Sequence, residues 1–118
     1  MEKKRILLVD DEAGIQLLYR EEFEEEGFEV ISAYNGDEAL EKFSNESPDL
    51  VILDINMPGM SGIEVLRRMK EINSDLPVIL STAYQEYKQD FSTWASEDYI
   101  VKSANMDELK NAVRKHLK

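Results

Sequence analysis

Leu50-Val51-Ile52-Leu53-Asp54 sets four apolar residues in front of a single carboxylate. An unbroken Val/Ile/Leu run this short reads as a strand covered on both faces, as in a parallel sheet flanked by helices. The chain repeats the device on either side. Ile6-Leu7-Leu8-Val9 ends in Asp10-Asp11, Val78-Ile79-Leu80 in Ser81-Thr82, and Tyr99-Ile100-Val101 in Lys102. With helices between the runs and a further strand near 28–33, a strand–helix unit occurs five times. Strands are expected near 5–10, 28–33, 49–54, 77–82 and 98–102, and helices near 13–26, 36–45, 62–72, 85–94 and 106–117. The fold class is α/β.

In a parallel sheet the C-terminal strand ends share one edge, where ligands usually bind. Asp10, Asp11, Asp54, Thr82 and Lys102 are expected to meet there. Each has a bland explanation when taken singly. An Asp after a strand usually forms a turn or caps a helix, a Lys there is usually solvated, and a Thr says almost nothing. Five such groups closing different strands point instead to a site. Clustered carboxylates disfavour each other's charged form, and a hard divalent cation relieves that conflict. Oxygen-only ligands with open positions suit Mg²⁺, which keeps waters and completes its shell with phosphate. Lys102 supplies positive charge and Thr82 a donor for phosphoryl oxygens. One carboxylate can then accept a phosphoryl group, and Asp54 is chosen because it stands alone at the end of the central run.

A chain of 118 residues is of ordinary size for one domain, and residues 1–118 are expected to form one. The apolar runs are too short to span a membrane, and the Lys-rich start lacks a signal-peptide apolar region. The absence of Cys fits a cytoplasmic setting and excludes disulfides and thiolate metal sites. A net charge of −11 argues against direct nucleic-acid binding. The acidic run around Glu24-Glu25-Glu26 reads as a solvated helix face.

Local signals add detail. Asn35 with Glu38, and Asn105 with Glu108, have the spacing of helix caps, and Gly27 marks the end of the first helix. Leu109, Ala112, Val113 and Leu117 form a core-facing stripe. In the first helix Ile15, Leu18, Tyr19 and Phe23 share one side with Glu22, so not all can be core. Either Ile15 and Leu18 partly face solvent beside the site, or Glu22 snorkels at the rim. His116, the only His, reads as a solvated side chain.

Leu8-Val9-Asp10-Asp11-Glu12, Pro48 to Asp54, Met57-Pro58-Gly59-Met60-Ser61-Gly62, Ser81-Thr82-Ala83 and Tyr99-Ile100-Val101-Lys102 together resemble the receiver domain of two-component response regulators. The likeness spans essentially the whole chain. It implies a flavodoxin-like, doubly wound (βα)5 sheet of strand order 2-1-3-4-5. It also implies that Asp54 accepts a phosphoryl group from the phosphohistidine of a histidine kinase or histidine phosphotransferase helix bundle. Asp10, Asp11, Asp54 and the backbone carbonyl of Asn56 would hold Mg²⁺, with Mn²⁺ able to substitute. Thr82 and Lys102 would bind phosphoryl oxygens, and Thr82 and Tyr99 would switch on activation. Asn56 and Tyr84 would tune hydrolysis, and Ile15 and Leu18 would dock the partner. Such a domain promotes its own phosphorylation and dephosphorylation, acts on a downstream protein target and is expected to be monomeric. Gly14-Ile15, Leu18, Gly62-Ile63-Glu64 and Thr82-Ala83-Tyr84 resemble in particular the single-domain regulators of sporulation phosphorelays.

Two features depart from the family pattern. Ser103 follows Lys102 where the family usually has Pro, so the Lys102–Ser103 bond is expected to be trans, since a cis bond before serine costs about 2.5–4 kcal/mol. The stretch from Thr82 to Lys102 is short for the family, and Trp94-Ala95-Ser96-Glu97 replaces the usual Gly-Ala turn, which predicts a short or irregular fourth helix. Two other functions compete. A Mg²⁺-dependent phosphatase of the haloacid-dehalogenase type would need an acid two residues after the nucleophile, where Asn56 stands, and usually a cap domain. A degenerate receiver would act as a binding module independent of phosphorylation.

Overall fold

The computed structural model describes residues 3–55, 57–82, 98–101 and 106–117. In chain order the elements are β1 (Arg5–Val9), α1 (Ala13–Glu25), β2 (Glu29–Ala33), α2 (Gly36–Glu46), β3 (Leu50–Asp54), α3 (Gly62–Ile72), β4 (Val78–Thr82), β5 (Asp98–Val101) and α4 (Asp107–His116). The expected boundaries match these to within one or two residues, and the helix expected at 85–94 lies outside the described residues. The five strands pair in parallel in the order β2-β1-β3-β4-β5, as the resemblance implied.

Alternation along the strands divides the apolar runs between two faces. Leu7, Val9, Val51, Leu53, Val78 and Leu80 join Phe43, Val65, Leu66 and Met69 beneath α2 and α3. Ile6, Leu8, Leu50, Ile52 and Ile79 join Tyr19, Phe23, Leu109 and Val113 beneath α1 and α4. β1 and β3 are covered on both sides, which is why they read as continuous apolar runs. The register Val9↔Leu53 and Asp54↔Ser81 brings the strand ends out at one level.

Element ends follow local chemistry. Gly27, at φ 98°, ends α1. Its N–H donates to Glu24 O and the Phe28 N–H to Phe23 O, while the Phe23 and Phe28 rings sit 6.2 Å apart. That is the double bond pattern and hydrophobic contact of a glycine-terminated helix. Asn35 Oδ1 accepts the Glu38 N–H at 2.8 Å and caps α2 as expected, and Ser61 caps α3. The N-cap of α4 falls on Met106, which makes no side-chain cap bond, rather than on Asn105, which lies outside the described residues. Arg5 and Asp49 exchange bonds at the N-terminal edge, Arg5 N–H to Asp49 Oδ2 and Asp49 N–H to Arg5 O. On the outer strand β2, Lys42 Nζ donates to Ser32 O at 2.6 Å.

Both alternatives for α1 hold. Leu18 is exposed and Ile15 is partly buried against the core, while Glu22 pairs with Lys110 of α4 at the rim. The residues the helix buries are Gln16, Tyr19 and Phe23. Leu109, Ala112 and Val113 face the core from α4, with Leu117 packed beside them. Among the described residues no helix is long and apolar enough to cross a membrane.

Candidate functional site

Where β1 and β3 end, carboxylate oxygens of Asp10, Asp11 and Asp54 lie within 4.8 Å of one another. Asp10 and Asp54 are buried, and Asp11 is exposed. Two carboxylates thus form a wall and the third opens to water. An oxygen-only donor set with a solvent side fits a hard cation that retains waters, so these residues fit Mg²⁺ on their own chemistry. Asp10 Oδ1 also accepts the Glu12 N–H at 2.9 Å. α1 starts beside the cluster with no side-chain cap and no acid in its first turn. The positive end of its dipole therefore favours negative charge at the site.

Asp54 is positioned from the other face. The Gly62 N–H donates to Ile55 O at 2.8 Å, docking the start of α3 on the carbonyl of the residue after Asp54. A Cβ on Gly62 would fall 2.1 Å from Asp54 O and 2.7 Å from Ile55 Cα, so only glycine fits. The connecting loop turns at Gly59, φ 78°, and Met60 packs on Gly36 at the start of α2.

The structure thus brings Asp10, Asp11 and Asp54 together as expected. The Thr82 backbone closes β4 opposite Val101, and Tyr99 lies in β5 opposite Leu80. The side chains of Thr82 and Tyr99, and all of Asn56, Tyr84, Trp94, Lys102 and Ser103, lie outside the described residues, as does the expected trans bond. Ile15 and Leu18 sit on α1, close in sequence to the cluster. The inward orientation of Gln16 was not anticipated from sequence. The available signal was its spacing, three residues before Tyr19 and seven before Phe23 on the stripe that α1 buries. A cavity of about 700 Å³ opens near the N-terminal edge of the sheet, lined by Lys3, Arg5, Glu24, Phe28, Glu29, Ser47 and Asp49. Arg5 there is already engaged with Glu29, Glu46 and Asp49, and the carboxylate cluster is elsewhere.

Similar sequences and folds occur in known proteins. The response regulator receiver domain family matches residues 6–114. Sporulation initiation phosphotransferase F of Bacillus subtilis is 42% identical over 119 residues, covering 99% of this chain and 96% of that protein. The response regulator TrrA of Thermotoga maritima, solved in complex with Mg(2+)-BeF, is 54% identical with a TM-score of 0.94, covering 97% of this chain and 99% of that one. A crystal structure of histidine kinase ThkA in complex with TrrA gives 53% identity and a TM-score of 0.92, covering 98% of this chain and 99% of the matched one. From its sequence and its fold, the chain belongs to the response regulator receiver domain family.

Proposed function

We propose that Asp54 is the phosphoacceptor of this receiver domain, in a Mg²⁺-dependent transfer from the phosphohistidine of a histidine kinase or histidine phosphotransferase. The observation that carries this reading is the clustering of buried Asp54 with Asp10 and Asp11 at one sheet edge. An Asp54 carboxylate oxygen would attack phosphorus as the P–N bond breaks, and the bond's electron pair would leave with the imidazole. Asp10, Asp11, Asp54 and the Asn56 backbone carbonyl would hold Mg²⁺, whose charge, when bound, neutralises the phosphoryl oxygens; Mn²⁺ would serve as well. Thr82 and Lys102 would bind the phosphoryl group, Thr82 and Tyr99 would report it, and Asn56 and Tyr84 would set its lifetime. Ile15 and Leu18 on α1 would dock the kinase helices. The capture of TrrA with Mg(2+)-BeF and with a histidine kinase supports both ligand and partner class. The phosphorylated form would act on a downstream protein target as a monomer.

Asp54→Asn tests the assignment. It should abolish hydroxylamine-sensitive labelling by acetyl phosphate or by a kinase, and should leave the fold intact by circular dichroism. Full-stoichiometry labelling of the folded variant would refute Asp54 as the acceptor.

A further inference from the structure

Gln16 carries a primary amide and is 2% exposed. A buried polar group persists where it is bonded. Its Nε2 lies 3.1 Å from Leu8 O, 3.0 Å from Asp10 O and 2.8 Å from Ala33 O. Two N–H groups thus serve three acceptors. The opposite rotamer would turn Oε1 toward three oxygens, which fixes the orientation. Oε1 is left without a hydrogen-bond partner, a cost the donated bonds offset.

The three acceptors mark a place in the sheet. Leu8 and Asp10 bracket the end of β1, and Ala33 is the last residue of β2. Ala33 O also accepts the Asp10 N–H at 3.1 Å. The Asp10 backbone is therefore held on both sides, by Ala33 at its N–H and by Gln16 at its carbonyl. Its Oδ1 is held by the Glu12 N–H. From that restrained backbone its carboxylate reaches the cluster.

We infer that Gln16 is a positioning residue of the divalent-cation site, setting the Asp10 carboxylate through the peptide it clamps and touching neither ion nor phosphoryl group. The inference rests on the Mg²⁺-dependent reading above. Outer partners that orient metal ligands commonly change affinity by roughly 10–100-fold when removed.

Gln16→Met keeps the side chain's length but removes its donor. It should weaken Mg²⁺ binding by calorimetry roughly tenfold, while the rate of Asp54 labelling at saturating Mg²⁺ stays within about twofold, because only ground-state binding is lost. Linkage is reciprocal. In the wild-type protein, Mg²⁺ should therefore slow hydrogen exchange at the Gln16 side-chain amide by a larger factor than at the Val113 amide, which reports general stabilisation. Failure of wild-type protein to bind Mg²⁺ or take up label would overturn the functional reading itself. Wild-type Mg²⁺ affinity in Gln16→Met would overturn only the role of Gln16. Should Gln16→Met not fold, the wild-type exchange comparison decides, and equal slowing at both amides would reject it.

Discussion

Beneath α2 and α3 the sheet is covered by aliphatic, methionine and phenylalanine side chains brought close by small residues. Beneath α1 and α4 the cover also includes the buried amide of Gln16, and ion pairs join the two helices. On the first face contact is governed by shape. A Cβ on Gly36 would meet Met60 Cβ and Val65 Cγ2 at 2.9 Å, which leaves little room between helix start and loop. On the second face Lys110 pairs with Glu22 and Glu26, and Arg114 with Glu26. Close packing contributes stability that is largely insensitive to salt, whereas exposed ion pairs contribute little. Hydrogen bonds, however, are directional. The site lies where both methods converge, with Asp54 held by the glycine contact of one face and Asp10 by the amide of the other.

The contrast is broken most directly by alanine at two glycines. Overpacking costs typically about 1–3 kcal/mol and occasionally more. Gly62→Ala should reach about 3 kcal/mol or beyond, because the atoms met are backbone. Gly14 in α1 has nothing within 4 Å of its Cβ position, so Gly14→Ala should stabilise by roughly 0.5–1 kcal/mol through helix propensity. Urea unfolding of the two variants should give opposite signs. A shared sign would mean that the tight contact at Gly62 yields.

Leu66→Ala truncates a fully buried side chain beneath α3 and should cost about 2–5 kcal/mol. That loss should be the same at low and high salt. A strong salt dependence would show that the α2/α3 face is not held by packing alone.

Lys110→Met should have the smallest effect, and a conditional one. The hydrogen bond to Glu22, with support from the charges of Glu22 and Glu26, holds the ammonium above the usual lysine range. A folded-state pKa raised above the unfolded value gives stabilisation that is complete below the unfolded pKa and lost as pH rises through the folded one. The variant should melt lower than wild type at neutral pH, and the gap should close in strong alkali and narrow in salt. A gap unchanged across both series would assign the effect to the lysine's methylenes rather than its charge.

How far the sequence could be read follows from these two modes of construction. Four apolar runs ending in polar groups marked four of the five strands, and those covered on both faces, such as β1 and β3, leave a continuous signature. The acidic trio was legible because parallel strands deliver their C-terminal ends to one edge. Gly27 and Asn35 acted where expected, because backbone geometry and cap chemistry are local. The first helix was ambiguous for a different reason. Hydrophobic pattern assumes that buried means apolar, so it left Leu18, which is exposed, open between core and surface, and missed Gln16, which is buried. The acceptors that keep Gln16 inside come from two strands, and no window of neighbouring residues shows them together. The α4 cap expected at Asn105 lies outside the described residues, and the helix itself starts after Met106.

The lysine contact on β2 bears on how the molecule behaves in a crowded solution. An outer strand presents unpaired carbonyls and amides that can template another chain's strand. Ala33 O turns inward to Asp10, so Ser32 O points away from the sheet, and the Lys42 ammonium occupies it. A strand adding there would have to displace a charged donor, and would meet its partner's lysine in turn. One side chain from the helix that follows β2 thus blocks one of the edge's outward acceptors to an incoming strand.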